Sequence, residues 1–301
     1  MQLTLLIDPP QDGLANMAVD EALLAMAAAG ELGPVLRFYQ WSPATLSLGY
    51  FQRYAERTAH PPSLDCDVVR RASGGGAILH DRELTYSLVL PAGHPLAARA
   101  EPLYRAVHQA LIDVLDERGL AVRFWDEVCP ISTGGTKIRA PGEPFACGDN
   151  AKQQASAESL PQSPIPNPEP QRQLEPFLCF QRRSPGDLVM RANDETSTQP
   201  TVWHKILGSA QRRRQGAVLQ HGSLVWGRSE FAPELPGVIE LAGTTFAHLD
   251  FPSLIAAWSK KLATMLGFEL ATATGSDRVT VDPWLALARE KFHESYWLHN
   301  R

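Results

Sequence analysis

The chain has 301 residues, 44% of them hydrophobic and 20% charged, which is enough to form a substantial core in one large domain or two smaller ones. Its formal net charge is −5, and outside residues 212–214 the basic residues are interspersed with acidic ones, which excludes a strongly basic nucleic-acid-binding surface. No stretch approaches the ~18 apolar residues of a membrane span, and the N-terminus lacks the basic and long apolar regions of a signal peptide. We therefore expect a cytoplasmic protein with no nucleic-acid partner and no membrane partner.

The four cysteines Cys66, Cys129, Cys147 and Cys179 are not arranged in C-x-x-C pairs. This spacing indicates neither a zinc site nor a disulfide framework, so we expect no metal, and a single reactive thiol remains open. Cys129 and Cys147 lie at or within a polar, proline-rich stretch, and we interpret them as incidental thiols.

Short strands and two helices alternate irregularly in the first part of the chain. Strands are predicted at residues 1–7 (as an edge strand), 35–39, 45–48, 67–71, 84–90 and 121–125. Apolar residues at helical spacing predict helices over 14–29 and 103–115, and Gly30 and Gly119 are placed to end them.

The second half begins with a stretch of different composition. Residues 134–176 are rich in proline, serine and glutamine and have no apolar period, which predicts a long exposed insertion that is disordered in part. Strands are then predicted at 187–191, 202–207 and 218–226, and helices at 251–266 and 284–297. We therefore divide the chain into a main domain, 1–250, which contains the insertion, and a helical C-terminal part, 251–301.

This order of elements predicts a mixed α/β (α+β) fold with a mixed, largely antiparallel sheet flanked by helices. Regular βαβ alternation is absent, which argues against a doubly wound nucleotide-binding fold.

A glycine triplet, residues 74–76, is the centre of the most informative stretch. Arg70, Arg71 and Ser73 lead into it. Three glycines in a row are costly in backbone entropy, and they are typical of positions that need positive φ or close approach to the backbone. A plain hairpin turn is the alternative. Guanidinium groups beside unobstructed backbone N–H groups favour a site for a carboxylate or phosphate.

Three further residues have both a structural and a functional interpretation. Cys179 lies between two apolar residues, which is typical of a small buried hydrophobe, and the alternative is a nucleophile. Lys205 lies in a predicted strand that ends in a turn at 208–210, so it either extends to the surface or points into a site. His221 is either a hydrogen-bonded structural histidine or a site residue.

Five segments together resemble one family. R-R-A-S-G-G-G-A-I-L-H-D (70–81), K-I-L-G-S-A-Q-R-R (205–213) and G-A-V-L-Q-H-G-S-L (216–224) are similar to signature segments of the lipoate–protein ligase A and octanoyltransferase superfamily. N-M-A-V-D-E-A-L (16–23) and L-S-L-G-Y-F-Q (46–52) are similar to its early segments, so the resemblance covers about residues 12–230 outside the insertion. It implies the biotin/lipoate protein ligase catalytic fold, with 1–250 as the catalytic domain.

The superfamily that the chain resembles contains two chemistries. Octanoyltransferases of the cysteine-and-lysine type take octanoate from acyl carrier protein onto an enzyme thiol, pass it to the lysine of a carrier domain and need no cofactor. Ligases activate lipoate with ATP and Mg and have no need of a cysteine. The succession C-F, P-G-D-L-V and K-I-L-G-S-A-Q resembles the transferase arrangement, which implies Cys179 as the nucleophile and Lys205 as its partner.

The transferase chemistry requires a cation beside the thiol. An unperturbed thiol of pKa ~8.5 is only about 3% thiolate at pH 7. An ammonium ~4 Å away, at an effective dielectric of ~20, favours the reactive thiolate by up to ~4 kcal/mol. The acceptor lysine must then lose a proton in the second step, and Lys205 and His80 are both candidates to take it.

The resemblance also implies how the substrate is bound. An apolar tunnel for an eight-carbon acyl chain contributes up to roughly 5 kcal/mol. The glycine triplet would form one wall, Arg71 and His80 would fix the polar end, and N–H groups at 208–210 would face the oxyanion. The residues implied for substrate binding are Arg71, Ser73, Gly74, Gly75, Gly76, His80, Gly208, Ser209, Ala210 and His221.

We predict an octanoyltransferase, with an ATP-dependent lipoate–protein ligase as the alternative. Its predicted partners are octanoyl-acyl carrier protein and an apo lipoyl carrier, either the glycine cleavage H protein or a dehydrogenase E2 lipoyl domain. An amidotransferase between two carrier proteins would share the thiol mechanism. A non-catalytic member that only binds acyl chains or lipoyl domains would have a buried, unreactive Cys179.

Overall fold

The computed structural model describes residues 1–129, 175–192, 202–243, 250–272, 282–293 and 295–299. The insertion predicted at 134–176 therefore lies outside the described residues, except for its last two positions.

An eight-stranded mixed sheet forms the frame of the molecule, with the strand order β11-β1-β2-β6-β10-β9-β8-β7. β1 is parallel to both of its neighbours, and all other pairs in this sheet are antiparallel, which confirms the predicted fold class. The strands are β1 (Gln2–Ile7), β2 (Val35–Tyr39), β6 (Glu83–Leu90), β7 (Val122–Phe124), β8 (Leu188–Arg191), β9 (Trp203–Arg214), β10 (Ala217–Val225) and β11 (Glu269–Thr272).

A second, three-stranded sheet carries the glycine triplet. Its central strand β3 (Thr45–Leu48) is parallel to β4 (Asp67–Arg70) and antiparallel to β5 (Ile78–His80). Residues 71–77 connect β4 to β5, so the glycines lie in a loop at the end of this small sheet.

Helices cover both faces of the large sheet. α2 (Ala100–Asp116) and α5 (Phe251–Leu266) enclose the main hydrophobic core on one face, and α1 (Gly13–Ala29) packs on the other face against apolar residues of β2, β6 and β10. The remaining helices are α3 (Trp125–Val128), α4 (Val238–Ala242), α6 (Asp282–His293) and α7 (Ser295–His299). α6 packs on α1, which extends the helical layer on that face.

Helix α1 has clear signals at both ends. Asp12 caps its N-terminus by accepting a hydrogen bond from the Ala15 N–H at 2.7 Å, and Gly30 ends it in the left-handed conformation at φ 79°. The helix is rich in alanine and buries Asn16 and Asp20 against the sheet. These two polar residues belong to the site described below.

Several predicted elements differ from the structure. β1 is not an edge strand, because β11 follows α5 back to the sheet and pairs with it, so the C-terminal part is not helical throughout. Residues 208–210 are not a turn, because they continue β9 in register with β10. The helix predicted over 284–297 is divided into α6 and α7. Among the described helices, none has the length and apolar character that a membrane-spanning segment requires.

Candidate active site

Cys179 and Lys205 lie side by side. Cys179 begins a 3-10 turn, Cys179–Gln181, and its N–H donates to the Ala77 carbonyl at 2.7 Å, which places it beside the glycine loop. Lys205 extends from β9, and its Nζ lies 3.6 Å from the Cys179 Sγ. The lysine is buried, 6% exposed, whereas Cys179 is half-buried. Lys205 therefore does not extend to the surface.

Asp187 completes this cluster, and sequence reasoning did not single it out. Its Oδ2 accepts from Lys205 Nζ at 2.9 Å and from the Ser184 N–H at 2.7 Å. Its Oδ1 accepts from the Tyr104 hydroxyl at 3.1 Å. The sequence signal that could have identified Asp187 is its position after Ser-Pro-Gly (184–186) and immediately before the strand β8.

The charges of this cluster hold Lys205 in its protonated form. Burial on its own lowers the pKa of Lys205, but the neighbouring Cys179 and Asp187 more than offset burial and raise that pKa above its ordinary value. Lys205 is therefore an ammonium at neutral pH. A cation this close to a cysteine is the kind of surrounding in which nucleophilic cysteines are found.

Close backbone packing explains the glycines of the loop. A Cβ on Gly49 would lie 2.0 Å from the Gly75 carbonyl oxygen, and a Cβ on Gly76 would lie 3.1 Å from the Cys179 nitrogen. Gly75 has φ 97°, a conformation that side chains disfavour. The triplet thus lets the loop lie against β3 on one side and against Cys179 on the other.

The buried side chain of Arg71 is hydrogen-bonded to this loop and to β3. Its Nη1 donates to the Ser47 carbonyl and hydroxyl, both at 2.8 Å, and its Nη2 donates to the carbonyls of Gly74 and Gly76 at 3.0 and 2.7 Å. Burial lowers the pKa of Arg71 to about 10, so the group stays charged at neutral pH. Both terminal nitrogens of Arg71 bind protein atoms, so the guanidinium holds the glycine loop in place.

His80 is held on both ring nitrogens. Its Nε2 lies 2.7 Å from the Ser47 hydroxyl and its Nδ1 lies 3.0 Å from Glu83 Oε1, while its ring stacks on Trp41 at 3.8 Å. Burial lowers the pKa of His80 despite the neighbouring Glu83. The ring is therefore neutral near pH 7 and has no unengaged nitrogen.

His221 joins β10 to the glycine loop and to α1. Its Nε2 lies 2.5 Å from the Ser73 hydroxyl, and its Nδ1 lies 3.2 Å from Asp20 Oδ2. Asp20, a residue that sequence reasoning assigned to no site, also accepts hydrogen bonds from Arg37 at 2.8 Å and from the Tyr39 hydroxyl at 2.9 Å.

The prediction that N–H groups at 208–210 face an oxyanion is wrong. The Ser209 N–H donates to the Tyr104 hydroxyl at 3.0 Å. Gly208 and Ala210 alternate with Ser209 along β9 and pair with β10, so their N–H groups point towards that strand. These residues instead contribute a flat backbone surface to the pocket wall.

Most of the predicted site residues line one pocket. Its lining includes Cys179, Arg71, Gly74, Gly75, His80, Gly208, Ser209, Ala210 and His221. Lys205, Ser73 and Gly76 do not line it but are hydrogen-bonded to residues that do. The apolar wall comes from residues that sequence reasoning did not assign to the site: Met17, Tyr39, Trp41 and Ile78. Among the described residues, no three His, Cys, Asp or Glu side chains are grouped to hold a metal ion.

This fold, with a glycine loop from a small sheet closing a pocket on a mixed sheet, is that of a lipoyl-ligase-type catalytic domain. Residues 12–142 match the family model of the lipoyl protein ligase A/B catalytic domain. The chain belongs to this family.

Named relatives support the same assignment. The chain is 33% identical over 226 residues to the octanoyltransferase LipM of Staphylococcus aureus, an alignment that covers 71% of this chain and 62% of that protein. The chain thus spans about three fifths of the length of this curated relative.

Solved structures share the fold at low identity. Lipoate-protein ligase A bound with ATP superposes with a TM-score of 0.59 and 18% identity, covering 99% of both chains. A bipartite lipoate protein ligase from Thermoplasma acidophilum, described with its E2 lipoyl domain, has a TM-score of 0.57 and 17% identity, covering 99% of this chain and 95% of that one.

Proposed function

We propose that this protein is an octanoyltransferase of protein lipoylation, which moves octanoate from octanoyl-acyl carrier protein through a Cys179 thioester to the lysine of a lipoyl carrier. The observation that carries the proposal is the 3.6 Å approach of Lys205 Nζ to Cys179 Sγ beside the pocket. A ligase that forms an acyl adenylate has no need of such a thiol. The name of the Staphylococcus aureus relative agrees with the transferase.

The first step is a thiol–thioester exchange. The Cys179 thiolate attacks the carbonyl carbon of the donor thioester, forms a new C–S bond and releases the donor thiolate. Lys205 stabilises the attacking sulfur as an ammonium and is itself fixed by Asp187 at 2.9 Å. One thioester replaces another, so the exchange is close to neutral in free energy and requires no ATP.

The second step forms the amide. The ε-amine of the acceptor lysine attacks the Cys179 thioester, a C–N bond forms, the C–S bond breaks, and the amine loses one proton that balances the charge of the departing thiolate. The departing thiolate is again stabilised by Lys205. An amide is more stable than a thioester, so this step drives the sequence forward.

The pocket supports binding of an acyl chain. Met17, Tyr39, Trp41 and Ile78 supply apolar surface, and each buried CH₂ contributes ~0.8 kcal/mol. The glycine loop and residues 208–210 present backbone without bulky side chains, so we assign them to the wall against which the chain lies.

The proposed acceptor is an apo lipoyl carrier, the glycine cleavage H protein or an E2 lipoyl domain. The Thermoplasma neighbour, described with its E2 lipoyl domain, supports this class of partner. We place the reaction in the cytoplasm, where thiols such as Cys179 stay reduced.

Intact mass spectrometry tests the proposal. The protein is mixed with octanoyl-acyl carrier protein in the absence of ATP, beside Cys179→Ser and Cys129→Ser variants. We expect a hydroxylamine-sensitive gain of one octanoyl group in the unmodified protein and in Cys129→Ser, a control at another half-buried cysteine. Cys179→Ser should show no hydroxylamine-sensitive adduct.

A second set of reactions, with and without lipoate and ATP, distinguishes the transferase from the ligase. If no adduct forms and the carrier lysine is modified only when lipoate and ATP are added, the protein is a ligase and Cys179 is a structural residue. If the carrier is modified without ATP, and only after the enzyme adduct appears, the transferase is supported.

A further inference from the structure

Both steps of the proposed transfer place negative charge on the carbonyl oxygen of the acyl group. A nucleophile adds to the carbonyl carbon, and the electron pair of the C=O bond moves onto the oxygen until the leaving group departs. Enzymes stabilise such an oxygen with fixed hydrogen-bond donors. The N–H groups of residues 208–210 do not provide them, because they are directed at β10 and at Tyr104. A donor for this oxygen therefore has to come from another part of the pocket.

Ser223 has a buried hydroxyl without a hydrogen-bond partner. It lies on β10, lines the pocket and is 1% exposed. Among the described residues, five buried side-chain polar atoms have no partner, and two of them, Ser223 Oγ and Arg71 Nε, belong to residues that line this pocket. The resemblance already implied Arg71 for the polar end of the substrate, whereas Ser223 was assigned to no site. A buried hydroxyl without a partner is costly in the folded protein, so it points to a partner that arrives with the substrate.

Strand pairing places Ser223 beside the Cys179–Lys205 pair. Ser223 is paired directly with Gly208 on β9. A Cβ on Gly208 would lie 2.7 Å from Lys205 Nζ, which itself lies 3.6 Å from Cys179 Sγ. Directly paired residues on neighbouring strands point to the same face of the sheet, with Cβ atoms ~5 Å apart. The Ser223 side chain therefore projects on the face where Lys205 approaches Cys179, one strand away from that approach.

The same row of paired residues gives the direction of the acyl chain. Ser223 pairs with Thr85 on β6, and Thr85 pairs with Tyr39 on β2. These three residues and Gly208 all line the pocket, so the row crosses four strands, ~14 Å at ~4.8 Å per strand. Tyr39, at the far end of the row, belongs to an apolar cluster. A chain attached to Cys179 and extended towards that cluster has its carbonyl group near Ser223 and its methyl end near Tyr39.

We propose that the Ser223 hydroxyl donates a hydrogen bond to the acyl carbonyl oxygen and stabilises the negative charge that develops there. This inference rests on the proposed function. As the Cys179 thiolate adds, a C–S bond forms and the C=O electron pair moves to the oxygen, which accepts the hydrogen bond from Ser223. When the adduct collapses, that pair returns to the C=O bond, and the donor thiolate leaves with the electrons of the broken C–S bond. The same oxygen gains charge again when the acceptor amine adds, and the Ser223 proton stays on its own oxygen throughout.

The two half-reactions of the full chain test this role in Ser223→Ala. The matched control is Ser259→Ala, at a buried serine of α5 that donates to the Ala256 carbonyl outside the pocket. Intact mass follows octanoyl-enzyme formation over a range of octanoyl-acyl carrier protein concentrations, and single-turnover transfer is then followed with an apo E2 lipoyl domain. We expect the maximal rates of both steps to fall by about 10²–10³-fold in Ser223→Ala, with the half-saturating donor concentration within about threefold. Ser259→Ala should react at the rate of the unmodified protein.

Alkylation of Cys179 separates charge stabilisation at the carbonyl oxygen from an effect on the sulfur. Iodoacetamide reacts with a thiol at a saturated carbon and forms no oxyanion, so the rate of alkylation should be unchanged in Ser223→Ala. The urea midpoint of this variant should be equal to or higher than that of the unmodified protein, because the substitution removes a buried hydroxyl that has no partner.

Any of three results would overturn the role of Ser223. They are unchanged acylation by the octanoyl donor, equal slowing of acylation and alkylation, and a urea midpoint of Ser223→Ala clearly below that of the unmodified protein, which would show that the hydroxyl stabilises the fold. If the unmodified protein forms no octanoyl adduct, the proposed function itself fails, and the role of Ser223 fails with it.

Discussion

Two polar clusters meet at the pocket, and they are built in opposite ways. The cysteine cluster, Cys179, Asp187 and Lys205, comes from residues 179–205 and from the adjacent strands β8 and β9. The histidine cluster, Asp20, Ser73 and His221, joins α1, the glycine loop and β10 over 201 positions of sequence. Local chain order assembles the first, and the tertiary fold assembles the second.

The clusters also differ in charge. The cysteine cluster places an ammonium beside a thiol, which suits a sulfur that gains and loses negative charge. In the histidine cluster the Asp20 carboxylate is paired with Arg37 at 2.8 Å and contacts His221 at 3.2 Å, so its negative charge is shared between two partners. The cysteine cluster thus places a cation beside a sulfur, whereas the histidine cluster ties three segments of the chain together around a carboxylate.

The largest effect is expected for Lys205→Met. Without the ammonium, the formation of the octanoyl enzyme should slow by about 10²–10⁴-fold. Alkylation of Cys179 by iodoacetamide at pH 7 should slow as well, which mass spectrometry measures against Cys179→Ser.

Stability provides the control for this variant. Lys205→Met leaves Asp187 buried without its cation, which costs about 3–5 kcal/mol, and the double variant with Asp187→Asn should recover most of that loss. Recovery of stability without recovery of acylation supports the role of the charge. Recovery of both would show that the lysine acts only in folding.

The next largest effect is expected for Gly49→Ala, at the position after β3 that packs against the glycine loop. The new Cβ would lie 2.0 Å from the Gly75 carbonyl oxygen, so the backbone must shift, and we expect a loss of about 3 kcal/mol in the free energy of unfolding. Urea denaturation measures it, with Gly33→Ala as a control where a Cβ has nothing within 4 Å. Similar stability of the two variants would contradict the close approach.

Lowering the pH should destabilise the folded protein through His108, which bonds the residue before Asp187. This buried histidine bonds the Gly186 carbonyl at 2.8 Å and the Ser209 hydroxyl at 2.6 Å, and burial lowers the pKa of His108 to about 3. Unfolded histidine titrates near 6.5, so between pH 6.5 and 3 the unfolded state binds the extra proton and stability falls as pH falls. Between pH 7 and pH 5 the expected loss in the free energy of unfolding due to His108 is about 2 kcal/mol.

The urea midpoint at pH 7 and pH 5 tests this effect in the unmodified protein and in His108→Gln. The variant should lose less stability between the two pH values, whatever its stability at pH 7. An identical loss in both proteins would show that other groups carry the acid sensitivity, with His80, whose pKa burial also lowers, as the first to examine.

The smallest effect is expected for Tyr104→Phe. Its hydroxyl holds Asp187 at 3.1 Å and the Ser209 N–H at 3.0 Å, so removing it should cost about 1 kcal/mol of stability and slow acylation by roughly threefold to tenfold. Tyr54→Phe, which loses a contact with Arg57 away from the pocket, is the matched control. A rate equal to that of the control would mean that Asp187 needs no second support.

The sequence predicted the fold class and the main strands and helices, because hydrophobic period and glycine placement are local signals. The five family segments also pointed to the glycine loop, Lys205 and His221, and the resemblance implied the pairing of Cys179 with Lys205. The antiparallel pairing of β8 and β9 was also readable from the chain, but Cys179 lies on neither strand and reaches Lys205 from a 3-10 turn bonded to Ala77.

Only the tertiary structure placed Asp187 and Asp20, which read as ordinary polar residues until their partners are known. It also showed that residues 208–210 continue β9, that β11 pairs with β1, and that the two terminal nitrogens of Arg71 hold the loop. The physical reason is common to all of these. Each depends on which atom becomes the hydrogen-bond partner, within one loop, across a hairpin or far along the chain, and a local sequence pattern does not encode that choice.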